Sequence, residues 1–225
     1  MSLQESVRNL SVELHREYER IDVIIHNAAI FNIRQKDPIL TKEGIESVWA
    51  TNHIGPVLLN QLIIDLIKKS DDGRIITISS KGLLAKPSLK INLINPEFRN
   101  RKYSIVNAYY QSKLAQMMYT IWLSEELRDS KIIVNSIRVP AVKVDLSKFP
   151  DLSGFMKAMY KLKSRFSLSP VKMAETYKYF ATSKDLLGIT GKYFDENNQE
   201  VKFSNYQRDR NEIEKLKELT MKCIK

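Results

Sequence analysis

Three short stretches dominated by β-branched residues, 21–25, 74–79 and 131–137, constrain this chain more than any other feature. A continuous run such as Ile21-Asp22-Val23-Ile24-Ile25 suits a strand covered on both faces, which is the situation inside a parallel sheet. Parallel strands need long crossovers, usually helices. Between the first two runs Val48, Trp49, Ile54, Val57, Leu58, Leu62, Ile63, Leu66 and Ile67 predict a long helix lying on the sheet. Between the last two, a long apolar helix runs to Leu127. The alternation predicts an α/β fold, and with 43% hydrophobic and 28% charged residues the 225-residue chain holds enough for one core and reads as one domain, 1–225.

The remaining elements follow from local signals. Ser2-Leu3-Gln4-Glu5 has the form of a capping box ahead of Leu3, Val7, Leu10, Leu14 and Tyr18 at helical spacing. Asp71-Asp72-Gly73 is a turn, Ser169-Pro170 opens a helix through Tyr179, residues 191–194 form a last strand and 209–224 a charged terminal helix. Residues 31–42 form a loop, and 81–103, with Pro87 and Asn95-Pro96, make a connection long enough to suggest a functional role.

Several classes are excluded or disfavoured. The run 57–67 is short and carries Asn60, Gln61 and Asp65, so no membrane span is predicted. The polar, periodic first residues do not form a secretory signal, and the expectation is an intracellular, cytoplasmic protein. Cys223 has no cysteine to pair with, and His15, His26 and His53 lack metal-ligand spacing. A net charge of +10 is spread along the chain and no nucleic-acid motif accompanies it, so a solvated lysine-rich surface is expected and no nucleic acid as partner.

Chemistry concentrates in Ala108-Tyr109-Tyr110-Gln111-Ser112-Lys113-Leu114-Ala115. One helical turn separates Tyr109 from Lys113, so the ammonium can favour the phenolate and make Tyr109 a proton donor or acceptor. The competing description is a ring packed in the core and an amine in water. At the carboxyl end of the first strand, where open α/β sheets bind ligands, His26-Asn27-Ala28-Ala29 combines small residues that admit a ligand close to the backbone with an Asn27 amide able to bridge strands. His26 itself reads equally as a polar strand terminator. Asn52 falls inside a helix, where asparagine is unfavourable, and Pro56 disturbs the same turn.

Taken in order, His26 to Ala29, Asn52-His53-Ile54-Gly55, the strand ending in Ser79-Ser80, Tyr109-x-x-Ser112-Lys113 and Thr190-Gly191-Lys192-Tyr193-Phe194 resemble the short-chain dehydrogenase/reductase family, in its retinol-dehydrogenase-like branch. The resemblance implies a Rossmann-like three-layer α/β/α parallel sheet and an NAD- or NADP-dependent oxidoreductase that interconverts an alcohol and a carbonyl of a small-molecule substrate. It implies catalytic roles for Asn52, Ser80, Tyr109 and Lys113. Ser80 donates a hydrogen bond to the substrate oxygen, with Ser79 as the alternative, and Asn52 bends its helix and holds a water that links Lys113 to solvent. The cofactor would lie against Asn27, Ala28, Ala29, Tyr109, Lys113, Pro140 and Val142. By the same resemblance, 81–103 walls the substrate pocket, 149–166 forms a lid, and the long helices allow a homo-oligomer.

Two departures shape the expectation. Val139-Pro140 stands where the family has Pro-Gly, and Val144 where it has threonine. The family's amino-terminal glycine-rich turn is absent, so a sheet truncated at its amino end is expected, with strand 21–25 at an exposed edge, a lost pyrophosphate site and impaired activity. The alternative function is an inactive fragment or regulatory interaction protein of the same fold.

Overall fold

A computed structural model describes residues 1–143 and 167–224. In chain order the elements are α1 (Gln4–Glu17), β1 (Val23–His26), α2 (Ser47–Trp49), a π-helical segment (Ala50–Ile54), α3 (Gly55–Lys68), β2 (Arg74–Ser80), α4 (Ile105–Glu126), β3 (Ile133–Val139), α5 (Pro170–Thr182), β4 (Lys192–Phe194), β5 (Glu200–Val201) and α6 (Arg210–Cys223). The five strands form one sheet in the order β1-β2-β3-β4-β5. The first four are parallel, with Ile25 opposite Ile76, Ile76 opposite Asn135 and Ile137 opposite Phe194, and β5 runs antiparallel to β4.

The period-2 alternation of β2 and β3 divides the core into two layers. Ile75 and Val134 point to one face, where α3 and α4 supply Val57, Ile63, Leu114 and Met118. Ile76, Ile78, Ile133 and Ile137 point to the other, under Met173 and Phe180 of α5. This is the expected α/β/α arrangement of a mostly parallel sheet. β1 lies at an edge, with β2 its only strand partner among the described residues.

The helix carrying Asn52 is interrupted at the predicted place. Pro56 has no N–H to give the Asn52 carbonyl four residues back, and the backbone widens into a π turn in which Gly55 N–H donates to the Ala50 carbonyl. At the opposite end of the sheet Arg74, only 1% exposed, ties β2 to α5. Its guanidinium donates to the Phe180 carbonyl at 3.0 Å, the Ser183 carbonyl at 2.8 Å and the Asp72 carboxylate at 2.5 Å. A cation at the carboxyl end of α5 also complements the helix dipole. Arg74→Met leaves both carbonyls without a donor, and we expect a loss of roughly 2–4 kcal/mol, read as a lower urea midpoint. An unchanged midpoint would show that α5 does not depend on this anchor.

The structure corrects several expectations. The Ser2 capping box does not form: Leu3 is the N-cap and makes no side-chain cap. Tertiary partners hold the end of α1, with the Gln4 N–H donating to Glu43 at 2.9 Å and its side chain to the Cys223 carbonyl at 2.6 Å. The helix buries Gln4, Val7 and Ser11, while Leu10 and Tyr18 face outward. Strand β5 was not foreseen. It returns through a turn in which Asn198 has φ 63° and the Asp195 carboxylate accepts from the Asn197 and Gln199 N–H groups. Val144 and the stretch 149–166 lie outside the described residues.

Candidate active site

Parallel register brings the carboxyl ends of β1, β2 and β3 to one edge of the sheet. Asn27, Ala28 and Ala29 follow β1 and are exposed there, Ser80 ends β2, and Pro140 follows β3. Helix α4 starts beside this edge, capped by Ser104, whose hydroxyl accepts the Asn107 N–H. Its first three turns carry Tyr109 and Lys113 against β2.

Tyr109 is half-buried, and the Ser80 side chain lies close enough to act on its phenol. Its ring lies 4.6 Å from Phe31 and 5.4 Å from Tyr110. Ser80 is held in turn by the Gly82 N–H at 3.2 Å. Gly82 packs closely under Tyr110: a Cβ there would come within 2.2 Å of the Tyr110 hydroxyl and force that side chain to move. Ser79, one residue earlier and so on the opposite face of β2, is buried, and its hydroxyl has no hydrogen-bond partner among the described residues. Of the two serines, Ser80 is the one brought to the phenol.

Lys113 is 2% exposed and donates to the Ile78 carbonyl at 2.7 Å and to Gln116 Oε1 at 3.1 Å. Its Nζ is 5.8 Å from the centre of the Tyr109 ring. Here the electrostatics differ from the expectation that the lysine lowers the tyrosine pKa. Burial raises Tyr109 above the usual tyrosine value, with Ser80 opposing and Tyr110 reinforcing that rise. Burial also lowers Lys113 to about 8. Desolvation disfavours the charged form of each, so the phenol keeps its proton near neutral pH.

Asn52, fully buried, reaches Ile30 and Ser112 instead of Lys113. Its Oδ1 accepts the Ile30 N–H at 2.8 Å, and its Nδ2 donates to the Ile30 carbonyl at 3.2 Å and to Ser112 Oγ at 3.1 Å. Ser112 itself donates to the Tyr109 carbonyl at 2.7 Å. The π turn therefore fastens the loop after β1 to the catalytic-type helix and sets Phe31 against Tyr109. Asn27 does not bridge strands as expected, because its side-chain oxygen accepts the Tyr177 hydroxyl at 3.0 Å. Pro140 is half-buried, and Val142 packs into the α5-side core, bridging to Leu168.

Four neighbours were missed in the sequence: Phe31, Tyr110, Gln116 and Tyr177. Gln116, one turn beyond Lys113, was open to discovery by spacing, whereas only tertiary folding brings Tyr177 of α5 to Asn27. His26 is buried and donates from Nε2 to Asn60 at 2.8 Å, and Asn60 donates to the Tyr119 hydroxyl at 2.9 Å. Burial lowers His26 to about 4, leaving it neutral near pH 7. A groove of about 770 Å³ lined by Lys68, Asp71, Arg128 and Lys131 lies at the opposite, amino-terminal end of the strands and shares no residue with this site. Among the described residues no helix is long and apolar enough to cross a membrane.

A family model described as short chain dehydrogenase matches residues 1–89. Human retinol dehydrogenase 13 is 32% identical over 194 residues, covering 85% of this chain and 57% of that protein. Human retinol dehydrogenase 14 is 33% identical over 190 residues, with 84% and 54% covered. A chloroplastic short-chain dehydrogenase, TIC 32 B of Brassica napus, is 32% identical over 214 residues, with 91% and 64% covered. In solved structures the fold matches an uncharacterised protein of Mycobacterium paratuberculosis with TM-score 0.69 at 22% identity, covering 99% of this chain and 72% of that one. It also matches a short chain dehydrogenase of Shigella flexneri complexed with NADP, with TM-score 0.59 at 20% identity, covering 87% and 71%. The chain spans little more than half the length of the retinol dehydrogenases it matches.

Proposed function

Since the chain belongs to the short-chain dehydrogenase/reductase family, in its retinol-dehydrogenase-like branch, we propose that it carries the reactive side of an NAD- or NADP-dependent oxidoreductase that interconverts a small-molecule alcohol and its carbonyl. The observation that carries this is the placement of Ser80 and Tyr109 together at the strand edge, with the Lys113 Nζ 5.8 Å from the centre of the ring.

The edge suits the nicotinamide and its ribose. Ala28 and Ala29 are small and exposed, so a flat ring can approach the backbone, and Lys113 offers a buried ammonium beside Tyr109. Asn27, Ala28, Ala29, Lys113, Pro140 and Val142 are the residues that would hold it. Bound there, the nicotinamide supplies or accepts the hydride. The rest of the chemistry belongs to this chain. Ser80 donates a hydrogen bond to the substrate oxygen. Tyr109, kept protonated by burial, gives its proton to that oxygen as negative charge develops on it, which serves carbonyl reduction. Asn52 holds the Ile30 loop and α4 in register.

Among the described residues no glycine-rich turn opens a helix at this edge, and the cofactor pyrophosphate would find no ring of backbone N–H donors there. We therefore expect the 225-residue chain to bind NADH and NADPH weakly, with little turnover. Titration followed by nicotinamide fluorescence tests this and decides between the two cofactors. Micromolar binding would mean that another segment supplies the phosphate site. In whichever form of the protein, this chain or a longer one, turns over an alcohol or ketone, Ser80→Ala should lower kcat roughly a hundredfold with cofactor affinity unchanged. Turnover equal to wild type would remove Ser80 from the mechanism. A second reading rests on the edge position of β1, which can pair with a strand of another chain. Self-association or partner binding without any nicotinamide binding would favour it.

A further inference from the structure

Helix α5 faces the candidate site from the layer opposite α4. It begins at Ser169, whose hydroxyl accepts the Lys172 N–H, and it packs on the sheet through Met173 and Phe180. Both ends are fixed. Leu168, just before it, exchanges backbone hydrogen bonds with Ala141 and Lys143 at 2.9 Å, and Arg74 holds the Phe180 and Ser183 carbonyls. Thr176 adds a third tie, to the Glu196 carbonyl at 3.1 Å.

Between these anchors Tyr177 leans its ring on the α5-side core and extends its hydroxyl to Asn27 Oδ1, 3.0 Å away. Asn27 belongs to the exposed turn where the nicotinamide cofactor is placed by the function proposed above. From this geometry we infer that Tyr177 is a positioning residue of the cofactor cleft: it latches α5 to the Asn27 turn, and cofactor binding exchanges the Asn27–Tyr177 bond for a contact between Asn27 and the cofactor. This inference rests on the oxidoreductase reading.

The chemistry suits a reversible tie. Burial, with Tyr109 adding to it, pushes Tyr177 up to about 12, so it remains a neutral donor across the working pH range. Asn27 is exposed, so water can replace the lost partner at small cost. Because α5 is pinned at both ends, release is a rotation of one side chain and needs no movement of the helix.

Tyr177→Phe removes only the hydroxyl and is the test. Without the competing bond, NADPH should bind roughly two- to tenfold more tightly by fluorescence titration. The gain should vanish in an Asn27→Ala background, as a double-mutant cycle requires of coupled groups. In the cofactor-free protein, amide hydrogen exchange over residues 26–30 should be faster in Tyr177→Phe than in wild type. A purely structural tyrosine would not tighten cofactor binding on losing its hydroxyl. Weaker or unchanged NADPH binding, or unchanged exchange with binding intact, overturns the latch while leaving the oxidoreductase reading in place. The titrations are made on whichever form of the protein, this chain or a longer one, binds NADPH measurably. Failure of wild type and variant to bind NADPH or NADH in either form overturns that reading and the exchange of contacts with it.

Discussion

Tyr109→Phe is expected to lower turnover at least about a hundredfold while leaving the fold intact. The substitution deletes the phenolic proton proposed to pass to the substrate and little else. The ring keeps its contacts with Phe31 and Tyr110, and Ser80 keeps the Gly82 N–H as a partner. Loss of the phenol hydroxyl should cost no more than about 1 kcal/mol of stability. The measurements are kcat and the urea midpoint, made on whichever form of the protein turns over. NADPH affinity should change little, because the lysine beneath the ring is untouched. A variant retaining more than about a tenth of its turnover would remove Tyr109 from proton transfer, since general acid catalysis contributes more than that.

The strands were legible because β2 and β3 are covered on both faces, and that condition writes itself into the sequence as β-branched runs. The break at Asn52 was legible for a chemical reason, the missing N–H of Pro56. The failures have equally specific causes. The Ser2 pattern is a good local cap, but Glu43 and the Cys223 carbonyl, both distant in sequence, take the groups it would have used. Strand β5 is two residues long and depends on the Asp195 carboxylate gathering the turn before it. For the candidate site, motif and spacing single out Ser80, Tyr109 and Lys113, but they do not give the direction of the lysine. Helix α4 is buried on nearly every side, so its periodicity carries no stripe to orient it. Lys113 turns to the Ile78 carbonyl and Gln116, a choice made by the depth of the helix against β2. Tyr177 had no local signal at all.

Lys113→Met should remove both a function and a pH dependence. Burial brings the Lys113 pKa from 10.5 down to about 8, while in the unfolded chain the amine returns to the ordinary value. Between those two pH values the unfolded state binds the extra proton, so the wild-type protein gains stability as pH rises through about 8 and stops gaining near 10.5. At lower pH both states are protonated and the folded one carries the cost of a buried ammonium. His26 does not interfere, being neutral well below this range. The buried tyrosines, Tyr109 among them, act in the opposite sense only once unfolded tyrosine ionises, near pH 10. The useful window is therefore pH 7.5 to 9.5. Across it the unfolding free energy of wild type relative to Lys113→Met should rise by about 2 kcal/mol, since methionine fills similar space and does not titrate. Urea melts at the two pH values measure the difference. The same variant should lose NADPH affinity and most turnover, because it removes the ammonium placed beside Tyr109, the group proposed to hold a ribose hydroxyl. If the relative stability of wild type and variant stayed flat across the window, Lys113 would not be releasing its proton there. If turnover and cofactor affinity also survived, the lysine would be a core residue with no part in the chemistry.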